Sequence, residues 1–173
     1  MSSDIWTCKK IAIIGPVASG KSTLAKRLGE MLDLPVFHLD NLWNLPNGEK
    51  EHPDILEEKI KNITLGEKWI IDGNYRDSLY SRFELSDLVI WLNFSLEFCR
   101  ESAIARHFES KHVGKPEYFV EPDDVLLFNF EENLKTAEQY IFPLAEKYRE
   151  KLIELTTREQ VDMRFRKELQ REK

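Results

Sequence analysis

The sequence predicts an α/β fold with a mainly parallel sheet and helices on both of its faces. Three observations predict it. Apolar runs of four or five residues alternate with longer segments of helical period. Those runs are apolar throughout, as in strands covered from both sides. The first run also passes through a glycine-containing loop straight into a helical segment. The chain has 173 residues, a single-domain length that buries a sizeable core without disulfides, so 1–173 is read as one domain.

Five strands are expected, at Lys10–Ile14, Pro35–His38, Trp69–Asp72, Leu88–Leu92 and Leu152–Leu155. Helices are expected at about Lys21–Leu32, Pro53–Leu65, Ser78–Phe83, Ser95–Glu109, Pro122–Tyr148 and Arg158–Arg171. Pro53 and Pro122 sit where a first-turn proline is tolerated, and Thr157-Arg158-Glu159-Gln160 reads as a capping box. Leu126, Phe130, Leu134, Ala137 and Ile141 make a core stripe on the long helix, which Pro143 is expected to end or kink. Two polar stretches interrupt the alternation. One lies at Asp40–His52, within an expected flap at about 40–65; the other, about 107–121, is a candidate lid.

Hydrophobic residues make up 42% and charged residues 32% of the chain, which excludes a disordered protein. A net charge of −6 and a pI of about 5.4 argue against direct nucleic-acid binding, which calls for a basic face. Two cysteines, Cys8 and Cys99, form no disulfide framework. With no secretory signal and no apolar run near the roughly 20 residues of a membrane span, a cytoplasmic protein is expected.

The sharpest signal is Gly15-Pro16-Val17-Ala18-Ser19-Gly20-Lys21-Ser22, a complete G-x-x-x-x-G-K-S octet between a strand and a helix that continues Thr23-Leu24-Ala25. Gly15 and Gly20 let the backbone wrap a phosphate, and the helix start adds its amides and dipole. Lys21 would bridge the β- and γ-phosphates of ATP, and the Ser22 hydroxyl would ligate Mg²⁺. Two strand ends deliver acids to the same edge of the sheet, Asp72 and Asp40. No His or Cys spacing suggests zinc, and no G-x-S-x-G elbow is present.

The loop, the Leu39-Asp40-Asn41-Leu42-Trp43 segment and Trp69-Ile70-Ile71-Asp72-Gly73-Asn74-Tyr75-Arg76, with Arg106 closing a later helix, together resemble the adenylate-kinase-like P-loop kinases. The nearest resemblance is to the DNA topology modulation, or adenylate-kinase-related, proteins. It implies a three-layer P-loop sandwich with a five-stranded parallel sheet in the order 2-3-1-4-5 and a small lid. It also implies ATP and Mg²⁺ as cofactors, Asp72 near the metal, Arg76 facing an acceptor phosphate, and Arg106 on the nucleotide phosphates. Leu155–Val161, with Arg158, would lie where such kinases hold adenine.

This chain departs from that pattern in two places. No arginine lies in Asp40–Leu65, and Asn74-Tyr75 stands where Phe-Pro is usual. An acid after the second strand resembles instead the shikimate and gluconate kinases, where it meets the acceptor hydroxyl. Asp40 is therefore a candidate to orient or deprotonate a hydroxyl, with Trp43, Asn74 and Tyr75 as further acceptor contacts. Arg82, Lys111 and Lys115 are secondary candidates for anion contact. The function expected is ATP γ-phosphate transfer to a small molecule, nucleotide-like or hydroxyl-bearing. The alternative is a nucleotide-dependent regulatory ATPase with a macromolecular partner, as in DNA topology modulation.

Overall fold

The computed structural model describes residues 4–113, 131, 132 and 134–169, without the side chains of 107–113 and 166–169. The strands are β1 (Lys10–Ile14), β2 (Val36–His38), β3 (Trp69–Asp72), β4 (Leu88–Leu92) and β5 (Leu152–Leu155). All pair in parallel, in the order β2-β3-β1-β4-β5. The helices are α1 (Lys21–Leu32), α2 (Leu39–Trp43), α3 (Pro53–Leu65), α4 (Leu79–Leu85), α5 (Leu96–Val113), α6 (Phe142–Lys147) and α7 (Arg158–Leu169).

The unbroken apolar character of β1 follows from its place at the middle of the sheet. Ile11 and Ile13 join one core with Leu24, Leu28, Ile90 and Phe165. Ala12 and Ile14 face the other, with Leu56, Ile60, Phe83 and Ile141. Successive strand residues point to opposite faces, so two covered faces leave no position for a polar side chain. Each such aliphatic residue contributes about 1.5–3 kcal/mol when fully buried.

The structure corrects several sequence expectations. The stretch from Asp40 is not an irregular flap at its start: Leu39–Trp43 is helical, and Asn44 and Lys50 then bridge across the turn at Gly48. α4 begins one residue late, because Arg76–Ser78 first winds a 3₁₀ turn, and it runs on to Leu85. α5 continues past Glu109 to Val113, through the start of the expected lid. The rest of that lid, Lys115, Pro122, Leu126, Phe130 and the Lys111 side chain lie outside the described residues.

Pro143 does not end its helix. It occupies the first turn of α6, and the strain falls upstream, where Ala137–Ile141 forms a π turn. Proline supplies no N–H and crowds the carbonyl four residues back, and a widened turn accommodates both. At α7, the Gln160 amide donates to Thr157 Oγ1 at 3.2 Å, the first half of the capping box. The reciprocal bond is shifted by one residue, since Gln160 Oε1 accepts from the Thr156 amide at 2.7 Å.

Candidate active site

The carboxyl ends of β1, β2 and β3 meet at one edge of the sheet, and the loop 15–20 emerges there from the central strand. Ligands of open parallel sheets bind at this edge. Gly15 has φ +148°, and a Cβ there would stand 2.5 Å from the Leu92 carbonyl oxygen. Gly20, at φ +89°, immediately precedes α1, and a Cβ on it would lie 2.8 Å from an Arg158 guanidinium nitrogen. The loop thus takes a tight path that side chains would block at both ends. Among the described residues, Ser19 Oγ is the buried side-chain polar atom that lacks a hydrogen-bond partner. A buried hydroxyl beside a ring of amides at a helix start fits a phosphate.

Lys21 opens α1 and turns its side chain back to the loop, its Nζ donating to the Pro16 carbonyl at 2.7 Å. Burial lowers its ammonium below the usual lysine value, against the opposing pull of Asp40 and Asp72, while the charge of Arg106 adds to the lowering. The two acids named from the sequence and Arg106 therefore act on the same lysine. Arg158 reaches the loop from α7. Ser22 and Thr23 are exposed on the first turn of α1, beside the loop mouth. Val17 and Ala18 complete the loop, Ala18 at φ +61°.

Asp72 is 2% exposed, and its Oδ1 lies 2.7 Å from His38 Nδ1. Sequence reading missed this pair, because 34 positions separate the two residues and His38 carries no motif. The register of β2 on β3 sets His38 directly opposite Asp72. Ser22 offers a hydroxyl and Asp72 a carboxylate, donors of the kind Mg²⁺ could take alongside phosphate oxygens and water.

Asn74 has a different place from the one expected. Its Oδ1 accepts from the Gly15 amide at 3.1 Å and its Nδ2 donates to the Gly15 carbonyl at 2.6 Å. Both ends of the amide clamp the first residue of the phosphate loop, so Asn74 positions the loop. Arg82, a secondary candidate for anion contact, is fully buried. It donates to the Gly73 carbonyl at 2.7 Å, the Tyr75 carbonyl at 3.0 Å and Ser78 Oγ at 3.0 Å. Burial lowers its value to about 10, with Asp72 pulling the other way. It braces the segment that carries Asn74, Tyr75 and Arg76.

Two of the candidate acceptor contacts are adjacent, the Trp43 and Tyr75 rings lying 6.2 Å apart at 41°. Burial raises the Tyr75 hydroxyl above its ordinary value, with Asp77 and Glu57 adding to the shift. Arg76 is exposed, with Nε 3.1 Å from Asp77 and its guanidinium 5.9 Å from the Tyr140 ring. Beyond the loop, a cavity of about 390 Å³ is lined by Gly15, Pro16, Trp91, Phe94, Leu134 and Ile141, among others. It is mostly apolar, with Asn74, Asn93, Ser95 and Thr156 on its wall, and neither Asp40 nor Asp72 lines it. No described helix is long and apolar enough to cross a membrane.

No protein-family model and no curated protein matches the chain. Solved structures do. A shikimate kinase from Bacteroides thetaiotaomicron aligns with a TM-score of 0.57 at 15% identity, over 95% of this chain and 96% of that one. A shikimate kinase from Aquifex aeolicus aligns at 0.55 with 19% identity, over 93% and 96%. A gluconokinase from Sinorhizobium meliloti aligns at 0.52 with 15% identity, over 87% and 83%. The likeness runs through nearly the whole chain and reproduces the sheet order, so this protein has the P-loop kinase fold of those enzymes.

Proposed function

We propose that the chain is a cytoplasmic, Mg²⁺-dependent phosphotransferase that moves the γ-phosphate of ATP to a small-molecule acceptor. The observation that carries this reading is the convergence on Lys21. The lysine opens the helix that follows a glycine loop, bonds back to that loop, and lies within the charge of Asp40, Asp72 and Arg106. Phosphoryl transfer needs positioning and charge neutralisation more than covalent chemistry, and these residues supply both.

In this reading the loop amides from Val17 to Lys21 would hold the β- and γ-phosphates, with the Lys21 ammonium reaching both. Arg158 and Arg106 add positive charge around the nucleotide. The Ser22 hydroxyl and Asp72 would hold Mg²⁺, which when bound would offset the phosphate charge. Asp40 orients the acceptor hydroxyl and takes its proton as the oxygen bonds to the γ-phosphorus and the bond to ADP breaks. Trp43 and Tyr75 wall the acceptor, and Asn74 holds Gly15 so that the loop presents its donors. The resemblance to the DNA topology modulation proteins agrees with the loop and the Trp69–Tyr75 segment, and names no acceptor.

The test is ADP release from Mg-ATP, with and without pooled small-molecule acceptors. Strong stimulation by one pool is the expected result, and Lys21→Ala should lower the stimulated rate by about 10²-fold or more. Binding of ATP with slow hydrolysis that no pool stimulates would overturn the kinase and favour the regulatory ATPase with a macromolecular partner.

A further inference from the structure

The acceptor side has a sign, and it is negative. Residues 39–78, which form that side, carry nine Asp or Glu against five Lys or Arg. The cations nearest the aromatic pair already have partners. Lys50 donates to Asn44 Oδ1 and lies 5.9 Å from the Trp43 ring centroid. Arg76, which the resemblance assigns to an acceptor phosphate, has a side chain 59% exposed and is engaged by Asp77. Arg82 is fully buried, its guanidinium bonded to loop carbonyls and a serine hydroxyl. Lys59 is held by Glu51.

Asp40 is exposed in the first turn of α2, and Asp72, paired with His38, is the last residue of β3; the charges of both act on Lys21. Glu57 and Asp77 both act on the Tyr75 hydroxyl. A carboxylate or phosphate on the acceptor would be desolvated beside these groups, while the cations nearest the rings, Lys50 and Arg76, are already engaged. The Trp43 and Tyr75 rings instead offer two tilted apolar faces with a polar tip, the arrangement that takes the flat side of a ring.

Building on the kinase reading above, we propose that the acceptor is a hydroxylated ring compound carrying no anionic group. A nucleoside or a cyclic polyol fits this description, whereas a nucleoside monophosphate or a sugar acid does not. The ring would lie on Trp43 and Tyr75, with its hydroxyl on Asp40 and directed at the phosphate held by Lys21.

Matched pairs test this with the full chain and Mg-ATP. Adenosine and thymidine are compared with AMP and TMP, and uncharged cyclitols and hexoses with shikimate and gluconate. The expected result is an uncharged member that raises ADP release at least about tenfold over the basal rate while its anionic partner does not. Trp43→Ala should then raise KM for that acceptor about tenfold and leave KM for ATP unchanged. Greater stimulation by the anionic member of a pair would overturn this inference and leave the kinase standing. Equal KM for the acceptor in Trp43→Ala would remove the aromatic seat. A protein that binds Mg-ATP but responds to no member of either set would bring down the kinase reading and this inference together.

Discussion

The proposed phosphate side and the proposed acceptor side of the site sit on the same sheet edge but are built on different principles. On the phosphate side the ligand would meet backbone: the loop lies between β1 and α1, its glycines leave no room for side chains, and Asn74 fastens its first residue. On the acceptor side the ligand would meet side chains from α2 and from residues 73–77, several of them exposed. A group common to all nucleotides can be recognised by main chain, whose donors come in a fixed geometry. A group that differs between substrates needs replaceable side chains on short elements. The segment 73–76 joins the two sides, reaching Gly15 through Asn74 and Trp43 through Tyr75.

That comparison can be broken at three places. Arg82→Met should have the largest effect on stability. It leaves the Gly73 and Tyr75 carbonyls without their buried donor and leaves Asp72 without its nearby buried cation. A loss of about 3 kcal/mol is expected in urea unfolding. A midpoint like that of the parent would show that the 73–78 segment holds itself.

Asn74→Ala should act on binding more than on folding. Removing both bonds to Gly15 should weaken Mg-ATP binding about tenfold, equivalent to about 1.4 kcal/mol, by calorimetric titration. Asn74→Asp keeps an acceptor for the Gly15 amide, but it loses the donor and sets a negative charge at the loop, so its affinity should fall further. Equal affinities in the two variants would argue that the clamp matters for shape alone.

The smallest effect concerns the thiols. Burial holds Cys8 and Cys99 at about 11 rather than 9.0, Lys21 pulling Cys99 the other way. Below pH 9 both are neutral in the folded and unfolded chain, and their burial is not opposed. As pH rises from 9 through 11 the unfolded chain gives up its protons first, so this part of the stability is progressively lost. Denaturation midpoints should therefore fall across that window. Near neutral pH neither thiol should react with a disulfide reagent in the folded protein. Rapid labelling of Cys99 in the native protein would mean that the face under the loop opens.

Much of this molecule is legible within short windows of sequence. Five strands, the phosphate loop and the cap of α7 each follow from neighbours a few residues apart, through apolar runs, positive-φ glycines and a side chain bonding a nearby amide. Asp40, just past β2, and Asp72, the last residue of β3, were legible for the same reason, since an acid at or just beyond an apolar run is a local pattern. What local pattern did not reveal was where Asn74, His38 and Arg82 would go. Asn74 meets Gly15 across 59 positions and His38 meets Asp72 across 34. Both meetings exist because β3 lies between β2 and β1. Arg82 sits on a seven-residue helix that reads as surface, and it is buried because the 73–78 segment folds its carbonyls inward. Strand order brings distant residues together, and order is decided by packing of the whole sheet, so these partners became visible only in three dimensions.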